Sequence, residues 1–367
     1  MKSKLVWLLI VLILVCASVS IEAGASTSSS YVVIEETTGR VLSEYNKDLS
    51  LPIASTTKIV TALVVLEHAN PDDEVVIPRE AQGVEGSSIY LKAGESYTVR
   101  DLLYGLMLRS GNDAAVALAI HVSGSIDGFC ALMNEKAHNV GAYNTHFTNP
   151  HGLHDDEHYS SAYDMAIITA NAYKNSTFCE IVKSKKYLLK DKYIYNKNKL
   201  LSIYDGADGV KTGYTTKSGR CLVSSSSRNG MRVICVVLNC YDMWDKSMAL
   251  MDGAHKNYTM TKVASVEDIV DISVFKGVQD TVGGSLKNDL YYPLKEGERE
   301  QITYQCEVSD LVAPVYSGTL GGNLKVYLAN RLIFDENIYT IKNVQKKSLL
   351  DWLRCDRMEK RCASINI

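Results

Sequence analysis

Residues 51–63 read LPIASTTKIVTAL, and the reading of this stretch decides the fold. Pro52 opens it, and the apolar run that follows ends before Pro71, so the spacing predicts a helix. Ile59, Val60, Ala62, Leu63, Val64, Val65 and Leu66 leave no polar face for Lys58. Such a helix belongs in the middle of a domain, with apolar neighbours all round it. Positions i and i+3 share a helix face, which brings Ser55 Oγ within reach of the Lys58 ammonium. Burial disfavours the charged form of a lysine, and a neutral amine can take a serine proton. Ser55 is therefore a candidate nucleophile and Lys58 its candidate base. The free N–H groups of the helix start would sit where negative charge develops on an attacked carbonyl oxygen.

Working outward, YVVIEETTGRVLSEYN (31–46) alternates and breaks at Thr38-Gly39-Arg40, which predicts a β-hairpin. Helices are expected over 99–110, 111–124, 127–140 and 160–175, the last capped by Ser160 or Ser161. From 209 the chain changes to three short β runs, with Asn229-Gly230 as a hairpin turn. Strands at both ends of a helical middle predict an α/β (α+β) domain: one mixed sheet with helices packed around it. Residues 264–341 alternate in short runs with Gly turns and are expected to form a small all-β domain. The second S-x-x-K, Ser273 to Lys276, falls in one of these runs, and nothing there predicts chemistry.

A chain of 367 residues exceeds one average core and suggests two domains, and its 46% hydrophobic and 22% charged residues are ordinary for a globular protein. A net charge of −3, with no long basic run before the C-terminus, argues against a nucleic-acid partner. Lys2 and Lys4 precede LVWLLIVLILV, and Ala23 and Ala25 form an A-x-A pattern, so 1–25 is expected to be a signal peptide and 26–263 the exported catalytic domain. An uncleaved anchor is the competing reading, against which stands an apolar run shorter than the roughly 20 residues of a bilayer span. Residues 342–367 form a basic tail in which Leu349, Trp352 and Leu353 share a face that Asp356 interrupts. A weak peripheral membrane contact and a solvated tail are both compatible with it. Most of the nine cysteines are expected to be small buried hydrophobes, with Cys355 and Cys362 open to pairing. The eight histidines form no H-E-x-x-H or comparable cluster, so neither metal nor cofactor is expected.

Two further motifs complete the pattern: Ser110-Gly111-Asn112 in a break between helices, and Lys211-Thr212-Gly213 on a strand. Each alone is weak, since Ser227-Arg228-Asn229 repeats the S-x-N spacing in a hairpin turn. In this order and context, IASTTKIVTAL, MLRSGNDAAVALA, NPHGLHDDEHYSSAYDMA and DGVKTGYTTKSGRCLVSSS resemble the penicillin-recognising serine enzymes. Within them the chain is most similar to the low-molecular-mass D-alanyl-D-alanine carboxypeptidases, from about residue 30 to the end of the β domain. The resemblance implies a serine β-lactamase/D,D-peptidase-like fold. It also implies removal of the last D-alanine from peptidoglycan stem peptides through an acyl-enzyme on Ser55, and acylation by β-lactam antibiotics. Lys58 would then be the base, Ser110 would pass a proton to the leaving amine, and Asn112 would hold the substrate amide. Lys211 and Thr212 would grip the terminal carboxylate, Gly213 would let the substrate lie against the strand, and Thr215 would share the oxyanion hole with Ser55. Met243 and Trp244 stand where some relatives carry a carboxylate-binding arginine, which throws that task onto Lys211, Thr212 and Arg220. His151 reads as part of a loop, NPHGL. A D,D-endopeptidase fits the same motifs. A class A β-lactamase is disfavoured by the lack of an E-x-x-L-N loop, and a catalytically silent wall scaffold by three intact motifs.

Overall fold

The computed structural model describes residues 29–348; the expected signal peptide, Cys16, most of the basic tail and its cysteines lie outside the described residues. The chain opens on the expected hairpin, β1 (Ser30–Glu35) against β2 (Val41–Tyr45). Helix α1 (Lys58–His68) follows, entered through a 3-10 turn at Ala54–Thr57. Two short strands, β3 (Glu74–Val76) and β4 (Ser96–Thr98), pair with each other and flank the loop that carries residues 77–95. Helix α2 (Asn112–Ser123) begins directly after a π turn at Gly105–Arg109, so the helical run predicted to stop near 110 is broken as expected. Helix α3 (Ala162–Ala172) is capped by Ser161, whose hydroxyl accepts from Asp164 N. A small hairpin, β5 (Lys186–Leu189) and β6 (Lys192–Tyr195), leads into the three long strands β7 (Ala207–Thr215), β8 (Gly219–Arg228) and β9 (Met231–Leu238).

These strands form one sheet in the order β2-β1-β9-β8-β7. It draws on both ends of the segment, as the sequence suggests, but it is antiparallel throughout and not mixed. The reason is connectivity: β7, β8 and β9 are joined by turns too short for the crossover that parallel neighbours need. Alternation along the strands gives the sheet two apolar faces. Val32, Ile34, Val223, Ile234 and Val236 belong to one core with α1, α2 and α3, while Val33, Leu222, Val233, Cys235 and Val237 pack with helix α4 (Met243–Asn257). Every residue of α1 from Lys58 to Val65 is buried, which is why its sequence carries no polar stripe.

The second part is all β, and it starts with β10 (Thr259–Ala264), which straddles the boundary expected at 263/264. Its core gathers Val263, Ile272, Val274, Val282, Tyr292, Val326 and Ile338. The serine of the second S-x-x-K lies on a strand, Val270–Phe275, as read from its alternation, and Lys276 follows the strand's end. Of the six described cysteines, Cys130, Cys221 and Cys235 are buried as expected, whereas Cys306 is exposed.

Arg40 joins the two parts. Its guanidinium forks onto Glu298, with Nη1 to Oε2 at 2.9 Å and Nη2 to Oε1 at 2.7 Å, and Nη1 also donates to the Pro293 carbonyl. It lies 5.1 Å from the ring centroids of both Tyr258 and Tyr292, a partly desolvated site where planar bidentate pairing is stronger than at a surface. Arg40→Ala should therefore lower stability by about 2 kcal/mol, and Arg40→Lys should recover little because an ammonium cannot form the fork. Thermal unfolding of the two variants beside the parent checks this; identical midpoints would show that the joint carries no stability.

Candidate active site

Ser55 lies in the 3-10 turn and Lys58 begins α1, so the two side chains share one face. Lys58 is fully buried, and its Nζ is 3.0 Å from Ser55 Oγ, 2.7 Å from Asn112 Oδ1 and 2.6 Å from the His151 carbonyl oxygen. Burial holds its pKa well below the usual lysine range, and the positive fields of Lys211 and Lys197 push the same way against Asp113. A neutral amine has two hydrogens and one lone pair. With Asn112 Oδ1 and the His151 carbonyl accepting the two hydrogens, the lone pair is left for the Ser55 hydroxyl.

Each partner of Lys58 is fixed by its own local structure. Ser110 occupies the left-handed region at φ 65°, which turns the chain out of the π turn and delivers Asn112 to the first turn of α2. Asn112 Nδ2 donates to the Glu85 carbonyl at 2.5 Å, which sets the amide with its oxygen toward Lys58. The NPHGL loop is tied by Asn149, whose Oδ1 accepts from Gly152 N at 2.7 Å and whose Nδ2 donates to Leu153 O at 3.1 Å. Gly152 has φ +84°, and a Cβ there would collide with the Ala54 carbonyl, so glycine is needed for the loop to close on the serine turn. Thr61 Oγ1 donates to Pro150 O at 2.6 Å, locking the loop onto α1.

His158 supports the turn from beneath. Its Nδ1 accepts from Thr148 N at 3.1 Å, so Nε2 carries the proton and donates to Thr57 Oγ1 at 2.8 Å, and Thr57 Oγ1 donates on to Ala54 O at 2.8 Å. Burial pushes the His158 pKa down to about 4 and that of His151 to about 3.

The third motif lies on β7, the open edge of the sheet. Lys211 is 1% exposed, its Nζ donates to the Thr212 carbonyl at 2.9 Å, and burial followed by the charge of Lys197 lowers its pKa to about 7. A Cβ at Gly213 would lie 3.1 Å from Ser55 N and 3.0 Å from Ile53 O, so glycine lets the strand approach the serine turn. The structure thus brings Ser55, Lys58 and Asn112 into direct contact and sets Gly213 against the backbone of Ser55.

The expectation for Thr215 is corrected. Its N–H donates to Ser218 Oγ at 3.0 Å inside the β7–β8 hairpin, so it is not offered to the open edge. Arg220 O accepts from Cys240 N at 2.8 Å, so the backbone groups of Arg220 face β9. Its cross-strand partner is Tyr214, whose own N–H must then point away from β8 to the open edge, because backbone groups alternate along an antiparallel ladder. Arg220 itself is occupied: Nη1 donates to Tyr241 O at 3.0 Å and the guanidinium lies 4.5 Å from the Tyr241 ring centroid. Sequence reasoning also missed the His151 carbonyl, Asp113 and Lys197. Only the Pro and Gly flanking His151 hinted at a built loop.

The chain matches the family model of peptidase S11, D-alanyl-D-alanine carboxypeptidase, over residues 17–242, and that of the penicillin-binding protein 5 C-terminal domain over 258–346. It is 31% identical over 346 residues to D-alanyl-D-alanine carboxypeptidase DacF of Bacillus subtilis, covering 90% of this chain and 89% of that one. To DacA of Escherichia coli K12 it is 30% identical over 338 residues, 86% of this chain and 83% of the relative. Among solved structures it is similar to penicillin binding protein 5 from Haemophilus influenzae, with TM-score 0.74 and 30% identity over 86% of this chain and 97% of that one. It is also similar to a peptidoglycan synthesis regulatory factor (PBP3) from Streptococcus pneumoniae, with TM-score 0.76 and 28% identity over 86% and 98%.

The two buried imidazoles give the fold a defined acid sensitivity. Their ordinary value is about 6.5 in an unfolded chain, so below that pH the unfolded state binds protons that the folded state refuses. Stability is complete above pH 6.5 and is lost as pH falls toward 4, by up to about 1.4 kcal/mol per pH unit for each imidazole. His158→Gln should flatten this loss; urea midpoints measured from pH 7 to 4.5 test it, and an unchanged slope would remove His158 from the account.

Proposed function

The chain belongs to the D-alanyl-D-alanine carboxypeptidase family, peptidase family S11, and from that premise we propose that it hydrolyses the terminal D-Ala-D-Ala bond of peptidoglycan stem peptides through an acyl-enzyme on Ser55. The observation that carries this is the complete burial of Lys58, which together with the nearby positive charge of Lys211 and Lys197 favours its neutral form, with Ser55 Oγ at 3.0 Å. Lys58 takes the Ser55 proton as Oγ attacks the carbonyl of the penultimate residue. The N–H groups of Ser55 and Tyr214 hold the resulting oxyanion, a role the sequence had given to Thr215. Ser110 relays a proton to the departing D-alanine nitrogen, and water then hydrolyses the ester. Asn112 orients the substrate amide, while Lys211 and Thr212 bind the carboxylate that marks a chain-terminal residue. β-Lactams would acylate the same serine. The reaction lies outside the cytoplasmic membrane, a location supported by the signal-like N-terminal segment, and the basic tail is a candidate membrane contact.

Mass spectrometry of the protein with diacetylated L-Lys-D-Ala-D-Ala, and separately with penicillin, tests the reading directly. Release of one D-alanine and a penicillin adduct on Ser55 are expected, and Ser55→Ala should abolish both. Rapid penicillin turnover with an untouched tripeptide would instead indicate a β-lactamase, and a stable adduct without D-alanine release an endopeptidase or a binding role.

The oxyanion assignment has its own test. Proline is tolerated on an edge strand where its missing N–H would face outward, so Tyr214→Pro should fold yet lose about 10²- to 10³-fold in kcat. Thr215→Ala should stay within a few-fold of the parent. The reverse ranking in steady-state hydrolysis, with both variants folded by circular dichroism, would restore Thr215.

A further inference from the structure

Between the loop of residues 85–97 and the β5–β6 hairpin runs an open groove of about 680 Å³. Its rim carries three outward tyrosines. Tyr90 is 83% exposed on a backbone held at φ 65°, and Tyr193 and Tyr195, 54% and 60% exposed, are alternate residues of β6 and so share a face. Large exposed rings gathered along one groove mark a binding surface more often than bare solvent contact.

The charge of the lining is one-sided: Lys92, Arg109, Lys190 and Lys192 against Glu95 and Asp191. One of the two carboxylates is already engaged, since Tyr97 OH donates to Glu95 at 3.0 Å. Lys190 is positioned in advance, its Nζ 3.7 Å from the Tyr97 ring centroid.

Both walls hang from the candidate active site. Asp113, the residue after Asn112, is 1% exposed, and its carboxylate accepts from Ser88 Oγ at 2.6 Å, Ile89 N at 3.1 Å and Leu91 N at 3.0 Å. The segment that projects Tyr90 is therefore fixed to the first turn of α2. On the other side Lys197, two residues past Tyr195, donates to Ser87 Oγ at 2.9 Å. Arg109, in the lining, immediately precedes Ser110.

We propose that this groove is an extended subsite for the upstream, carboxylate-bearing part of the stem peptide, with the lysines meeting its carboxylates and the tyrosines packing along its backbone. The proposal rests on the peptidase reading given above. Four cations against Glu95 and Asp191 leave an excess of two positive charges in the lining, which favours an acidic peptide over a neutral saccharide.

The test compares kcat/KM for four substrates: diacetylated L-Lys-D-Ala-D-Ala, the soluble pentapeptide L-Ala-γ-D-Glu-L-Lys-D-Ala-D-Ala, the same pentapeptide amidated at the glutamate α-carboxylate, and the disaccharide-linked pentapeptide. The free pentapeptide is expected to be favoured over the tripeptide by on the order of tenfold, with most of the gain lost on amidation. Lys190→Gln/Lys192→Gln should abolish that gain while leaving the tripeptide within about twofold of the parent. A gain that survives amidation or the double substitution, or one that emerges only with the disaccharide, overturns the proposal. Calorimetric binding of the pentapeptide to the Ser55→Ala protein, with and without the lysine substitutions, separates this outcome from a failure of the peptidase reading. Binding weakened by the substitutions supports the groove even if the tripeptide is never cleaved, and equal binding refutes it.

Discussion

Lys58 is the constraint on which the rest of the catalytic part depends. An ammonium placed in a fully buried position costs several kcal/mol unless it is neutralised or surrounded by acceptors. The fold does both, with a low pKa and three oxygen partners drawn from three separate segments. Those segments cannot drift independently: moving the 110–112 turn or the 149–153 loop would leave a buried polar group unsatisfied. Much of the irregular structure nearby follows from this requirement, including the left-handed Ser110, the Asn149 clamp and the glycine at 152.

The sheet contributes through its edge. Because β7 is the last strand in the order β2-β1-β9-β8-β7, its outward backbone groups face the serine turn and no further strand. A large side chain at 213 would hold that edge away, and glycine lets it come within contact distance of Ser55 N. Lys211 and Lys197 add a positive field that favours the neutral form of Lys58, and the same field suits a substrate that ends in a carboxylate. One arrangement of charge therefore serves both the proposed base and the proposed substrate terminus.

The all-β part meets the catalytic part at an arginine placed between two tyrosine rings and forked onto Glu298, beside Met260 of β10, which packs against the sheet. Arg40 sits in the turn of the first hairpin, far along the chain from its partners, so the contact ties the start of the catalytic part to the all-β part. Sequence alone gave Arg40 no role beyond a turn residue, since its partners lie more than two hundred positions away.

What the sequence by itself determined was local. The apolar residues that surround Thr61 in 59–66 demanded a buried helix, the alternation of 209–238 demanded strands, and the i, i+3 spacing placed Ser55 beside Lys58. Periodicity and spacing act over a few residues, and at that range the helix, the strands and the Ser55–Lys58 contact are as read. Tertiary structure alone decided which backbone groups complete the site. The His151 carbonyl reaches Lys58 only because the chain folds a loop back over α1, and the amide facing the open edge belongs to Tyr214 because strand register fixes the side to which each N–H points. A shift of one residue reverses that direction. Thr215 and Tyr214 are therefore equal candidates by sequence, and only pairing with β8 tells them apart.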